Sequence, residues 1–239
     1  MASKSLTVGA DRFLALEWAN YAYELFCSLE DQETSRKHRR EYLETQMVGK
    51  VSTRKTTDQL NRLWLNSWDT LTTLREMTRS FSHSIDTAQM LVLHLGIAIN
   101  IFPIYRETVR VIGTLDRITD KITSKSITSR VIEKFPTTSS IPRTVSRVLQ
   151  TLTDWRFIEV IEGNAAVKEL PVQDPKLVNW YILAVLKATQ RNEITLSDLE
   201  ICPFKLGINF AHPRRAIIDS EEMIFSRNQQ GVEVIRVRD

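Results

Sequence analysis

Apolar residues recur every three to four positions through most of the chain, the period of helices that bury one face. The first such stretch sets Phe13, Leu14, Leu16, Ala19, Tyr21, Tyr23 and Phe26 on an apolar side. The acidic SLEDQET segment interrupts it, and SRKHRREYLETQM follows as a second, strongly charged helix. Beyond the stop signal at Gly49, VSTRKTTDQLNRLWLNSWDTLTTLREMTRSF holds Leu60, Leu63, Trp64, Ser67, Trp68 and Leu71 at helical spacing. The hydroxyl-rich, basic run at 52–57 precedes that stripe and predicts a capped helix start able to approach a phosphate.

The polar SFSHSID at 80–86 separates two apolar-periodic blocks and can cap the next helix through Ser84 or Asp86. The chain is therefore divided into an N-terminal helical, helix-turn-helix-like unit at 1–83, a second unit at 84–175, and a tail at 176–239. The second unit opens with a buried helix near 86–101, followed by a helix after Pro103 and another near 124–135, which Pro136 ends. SSIPRTVSRVLQTLTDWRFIEVIEGN then supplies a helix from about Pro142 to Asp154, and the residues after it a hairpin turning at Gly163-Asn164. The tail predicts a helix from LVNWYILAVLKATQ, small strands packed on the second unit, and a charged C-terminal hairpin with a QGV turn.

Composition agrees with a mainly α protein. Only 7 Gly and 7 Pro among 239 residues, with 42% hydrophobic content, disfavour sandwiches, barrels and glycine-dependent nucleotide folds. The run AQMLVLHLGIAINIFPI at 88–104 is too short and too polar, with Gln89, His94 and Asn100, for a membrane span. The start MASKSLTVGADRF lacks the apolar core of a signal peptide, and Cys27 and Cys202 belong to no disulfide or metal spacing. Both features suit a cytoplasmic protein with free thiols.

Charge is mildly basic overall, at +3, but unevenly spread. Residues 36–62 carry eight basic and three acidic side chains, and residues 121–160 carry seven and three. In the helix near 142–154, Val145, Val148, Leu149 and Leu152 fall on one side, and Arg143, Ser146, Arg147 and Gln150 on the other. The order of hydroxyl-rich turn, amphipathic helix and two-stranded wing is that of a winged helix-turn-helix. Arg143, Ser146, Arg147 and Gln150 are then candidates for the major groove, with Lys134 on the preceding helix and with Asn164 and Lys168 on or near the wing tip. The same face also fits a solvated surface or a protein partner. In the first basic island, Arg54, Lys55 and Arg62 are the candidate DNA contacts.

No catalytic motif accompanies them. The four histidines show no metal spacing, no phosphate-binding glycine loop or nucleophile elbow is present, and no lysine completes a nuclease set with Asp219, Glu221, Glu222 and Glu233. The expectation is a non-enzymatic protein without a cofactor or small-molecule substrate.

From 15 to 175, the order of features resembles the BrxA family, a small component of bacterial BREX phage-defence systems. The similarity is carried by AYELFCSLEDQETSRKHRREYLETQM, GKVSTRKTTDQLNRLWL, TAQMLVLHLGIAINIFPIYRETV and IPRTVSRVLQTLTDWRFIE. The resemblance implies non-enzymatic double-stranded DNA binding through helix-turn-helix-like units, at 52–62 and 121–168, alongside other phage-defence proteins. One departure is Trp155-Arg156, where a glycine is expected after the reading helix. Two alternatives remain: a winged-helix transcriptional regulator, and a structural adaptor subunit that binds a protein partner through its Trp-rich N-terminal half.

Overall fold

The computed structural model describes residues 10–28, 31–66, 71–81, 85–135, 139–218 and 220–238. They are mainly helical, with small sheets of two or three strands. α1 (Leu16–Cys27), α2 (Gln32–Gln46) and α3 (Lys50–Leu60) pack on one another, and α3 runs directly into a π-helical turn at Asn61–Leu65. That turn, where the chain takes up one residue more than an α-turn, buries Leu63, Trp64 and Leu65 together. α4 (Thr72–Ser80) is a separate helix, so the single helix expected after Gly49 is two; Ser67 and Trp68 lie outside the described residues.

α5 (Thr87–Ile101) is the axis of the molecule. Its residues 91–99 are all buried, as its nearly unbroken apolar sequence dictates. Asp86 starts it with a reciprocal capping box to Gln89, while Ser84 lies outside the described residues. Pro103 does more than end it: Pro103 opens the first turn of α6 (Pro103–Leu115), where its missing N–H costs nothing, and the two axes bend by 116°. Among the described residues no single helix is long and apolar enough to cross a membrane.

α6 supports α7 (Ser124–Lys134) and α8 (Ile141–Asp154), followed by the antiparallel hairpin of β1 (Ile158–Ile161) and β2 (Asn164–Val167). The hairpin turn is at Glu162 and Gly163, one residue earlier than predicted, with φ of 50° and 79°. Positive φ at both central positions matches the strand twist, and this register keeps Ile158 facing the core; a slip by one residue would turn it to solvent. Ala165 N–H donates to Ile122 O, and Thr123 forms a single β-bridge to Asn164 beside the two-stranded hairpin.

β3 (Leu170–Val172) pairs in parallel with β5 (Ile208–Phe210). α9 (Pro175–Thr189) lies along α5, closely enough that Gly96 has no room for a side chain against the Trp180 ring. β4 (Glu193–Thr195), α10 (Leu196–Glu200), a 3-10 turn at Pro203–Lys205 and α11 (Pro213–Ile218) precede β6 (Met223–Arg227) and β7 (Glu233–Val237), the expected C-terminal hairpin. β4 joins that hairpin as a third strand. The buried apolar side chains form a cluster that runs through all three segments. Trp64, His94 and Trp155 meet at its centre, with ring centroids 5.4 and 5.3 Å apart.

Candidate nucleic-acid interface

α8 has two faces because its sequence alternates them at helical spacing. Ile141, Thr144, Val145, Val148, Leu149, Thr151 and Leu152 are buried against the core. Arg143, Ser146 and Gln150 are exposed and Arg147 half-exposed on the other side, as predicted. Arg147 Nη1 donates to Gln150 Oε1 at 2.8 Å, which fixes both side chains along the helix. Ser140 precedes the helix without a side-chain cap and Pro142 sits in the first turn, so the N–H groups there have no side-chain acceptor.

Ser146 and Gln150 line a shallow recess of about 440 Å³ with Ser124 and Thr128 of α7 and Val160 of the hairpin. Its walls are hydroxyls, an amide and apolar carbon, with Asp154 as the one ionisable group. Asp154 already accepts from Leu16 N–H at 2.6 Å. Lys121, Lys125, Arg130, Arg143 and Arg156, in and beside α7 and α8, are exposed and have no ion pair among the described residues, but none of them lines the recess.

The helix-to-hairpin connection needs no glycine. Arg156 itself takes the left-handed conformation, φ 62°, and closes the helix with bonds from Arg156 N–H to Thr153 O and from Phe157 N–H to Leu152 O. The buried Phe157 and Leu152 supply the apolar contact that accompanies this cap.

The hairpin is less suited to phosphate. Asn164 flanks the turn as expected, and its Nδ2 is 3.4 Å from Glu162 O. Lys168 is not at the tip: its N–H bonds Phe157 O at the hairpin base, about 13 Å along the strand from Asn164. Its ammonium lies 3.3 Å from Glu159. Glu159 and Glu162 are exposed, and so are Val160 and Ile161, at 56% and 54%.

The first basic island converges only in part. The 52–57 run begins in the first turn of α3 and continues into its interior, but its hydroxyls face inward: Thr53, Thr56 and Thr57 are buried, and the Thr53 and Thr57 hydroxyls bond carbonyls one turn back, at Gly49 and Thr53. Arg54 is exposed in a cleft of about 680 Å³ shared with Arg36, Arg40 and Lys50. Lys55, one residue on and 100° around the helix, lies 4.0 Å from Asp11 instead. Arg62 stacks its guanidinium 5.0 Å over the Phe102 ring, where burial lowers its pKa. Arg39, read from the sequence as part of a solvated helix, is fully buried; it donates to Asn61 Oδ1 and, at 3.3 Å, to Ser35 O. Burial pushes its pKa down to about 10.

Lys134 does not line the α8 recess. It faces another cleft, with Arg106, Arg110, Arg117 and Arg191. Sequence reasoning passed over those four arginines, although the i, i+4 spacing of Arg106 and Arg110 marks a basic face of α6. The acidic residues near the C-terminus separate: Glu222 accepts from Asn179 and Ser220, while Glu233 is held between Arg214 and Arg227. Asp219 lies outside the described residues. Among the described residues no group of three His, Cys, Asp or Glu is placed to hold a metal ion, and Cys27 and Cys202 are free, half-buried thiols.

Compared with protein-family models, curated proteins and solved structures, the chain matches none.

Proposed function

We propose that the chain binds double-stranded DNA without catalysing a reaction, through a winged helix-turn-helix built from α6, α7, α8 and the β1–β2 hairpin, with α8 as the groove-facing helix. One observation carries this reading: Arg143, Ser146, Arg147 and Gln150 share a solvent-facing side of a helix whose opposite side is core. The bridge of Thr123 to Asn164 supports it, since it sets the segment before α7 alongside the hairpin, as in a winged helix. Phosphate contacts would come from α7 and α8, because the hairpin bears Glu159 and Glu162 and its Lys168 is paired. With few side chains poised to read bases, binding is sequence-tolerant. From the resemblance of the sequence to the BrxA family we infer that this activity would serve a BREX-like phage-defence system.

Fluorescence anisotropy of labelled random-sequence duplexes over a salt series tests the reading. The expected outcome is affinity that falls linearly on a log-log plot, with a slope near −0.9 per phosphate engaged. No binding at low salt, or binding indifferent to salt, would refute it. A protein-binding adaptor is the second reading, favoured by the exposed Val160 and Ile161 beside acidic residues on the hairpin. A partner that binds through the hairpin while duplex DNA does not bind at all would select it.

A further inference from the structure

The cleft on the flank of α7 away from the recess is a separate feature. It has a volume of about 740 Å³, within the range of small-ligand pockets. Five cations line it: Arg106 and Arg110 from α6, Arg117 from the turn after it, Lys134 from the end of α7, and Arg191 from beyond α9. Two carboxylates oppose them, Glu107 and Asp198. Glu107 is committed to Arg110 by two bonds, of 2.6 and 3.0 Å. Phe135, Ile194 and Phe204 border the cleft but are buried in the core and expose only their edges.

Part of this charge has a structural role. Arg106 Nη1 donates to Ala188 O at 2.6 Å, satisfying a carbonyl in the last turn of α9, and Arg117 Nη1 donates to Ile201 O at 2.9 Å. A helix C-terminus amounts to about half a negative charge. Even with the ends of α7 and α9 each counted at that value, the cleft keeps an excess of about two positive charges. Each of these guanidiniums uses one N–H on its carbonyl and is held in place by it, leaving other donors of a planar fork free. Arg191 and Lys134 are exposed and have no ion pair among the described residues.

Fixed guanidinium forks and a surplus of positive charge in one concave site match a small ligand with several phosphate charges. We propose that this cleft binds a small polyphosphate ligand, the class to which nucleoside triphosphates belong. The phosphates would sit among Arg117, Lys134 and Arg191, and the rest of the ligand toward the mouth of the cleft. A nucleic-acid backbone offers the same phosphate chemistry, but a concave cleft walled by α6, α9 and the 3-10 turn suits a small free polyphosphate better than a duplex. This site is independent of the DNA-binding reading of α8.

Calorimetric titration of the full chain at low salt with ATP, with adenosine, with inorganic phosphate and with a short duplex decides it. ATP should bind, adenosine should not, and inorganic phosphate should bind more weakly than ATP. Arg191→Glu and, separately, Arg117→Glu should each weaken ATP by about tenfold or more, the scale of one lost charge-assisted contact. Both positions are exposed, and a thermal melt of each variant confirms that it is folded. Arg143→Ala/Arg147→Ala should leave ATP binding unchanged. The inference fails if ATP does not bind, if both cleft variants bind it as well as the wild type, or if the α8 variant loses it equally. It also fails if the cleft variants lose the duplex while ATP is not bound, since the cleft is then a track for a nucleic-acid backbone.

Discussion

Trp64 donates its indole N–H to Nδ1 of His94 across 3.2 Å, at the point where the N-terminal helices meet α5. An indole is a donor only, so Nδ1 must be the unprotonated nitrogen and the proton resides on Nε2, 2.8 Å from Asn20 Oδ1. The imidazole is thus neutral and satisfied on both sides, and complete burial pushes its pKa down to about 3.

That arrangement makes stability depend on pH. In the unfolded chain the same histidine titrates near 6.5. Below that value the unfolded state takes up a proton that the folded state refuses, so the stability fully present above about pH 6.5 is lost as pH falls toward 3, at about 1.4 kcal/mol per unit. Urea unfolding between pH 7 and pH 5, above the main carboxylate range, should show this slope in the wild type and lose it in His94→Gln. Equal slopes in the two proteins would contradict the assignment.

Arg156 occupies a left-handed position that glycine adopts freely and other residues reach at a cost of about 1–2 kcal/mol. Its side chain is exposed and has no ion pair among the described residues. Arg156→Gly should therefore raise stability by about 0.5–1 kcal/mol, the relieved strain exceeding the extra chain entropy of glycine. A lower melting temperature for this variant would show that the Arg156 stem contributes more than its backbone costs.

At Gly96 two effects oppose each other. Alanine improves helix propensity by about 1 kcal/mol. Its Cβ, however, would stand 2.7 Å from Cη2 of Trp180, a ring fully buried and tied by its N–H to Leu74 O and Thr78 Oγ1. Overpacking of this kind costs about 1–3 kcal/mol, so Gly96→Ala should destabilise on balance. Chemical denaturation reads the sign directly, and a stabilised variant would mean that α5 and α9 can move apart freely.

Legibility in the sequence followed the range of the interaction. α8 was readable because Val145, Val148 and Leu152 repeat within one helix, and the buried α5 because its apolar run fits nothing else of that length. Asp86 was readable as a cap because capping is local. Arg39 was not: it lies one turn before the buried Leu43 on the inner side of α2, but its charge argued for solvent, and its acceptor Asn61 arrives only with the π-helical turn. The cationic cleft escaped for the same reason, since Arg191 lies 81 positions from Arg110 and only the packed helices bring them to one site. The cap at Arg156 escaped because its residue type argues against the conformation that Phe157 and Leu152 impose on it.

Arg143 and Arg147 provide the most direct test of the interface. They stand one helical turn apart, neither has a buried partner, and Arg147 has only the surface bond to Gln150. Arg143→Ala/Arg147→Ala should leave the melting temperature nearly unchanged, because exposed substitutions away from caps and cores shift stability by about 0.5 kcal/mol or less. In a DNA titration, each phosphate contact removed should reduce the log-log salt slope by about one, evenly across sequences, whereas a lost base contact would cost about 1–3 kcal/mol at one sequence position. Leu152→Ala on the opposite side is the control: Leu152 is fully buried, and truncating it should destabilise the protein by about 2–5 kcal/mol. Its residual folded fraction should keep the wild-type salt slope. If the double-arginine variant binds DNA as the wild type does, the basic side of α8 is ordinary surface; if it melts as badly as Leu152→Ala, those arginines hold the fold and α8 is not the DNA-facing helix.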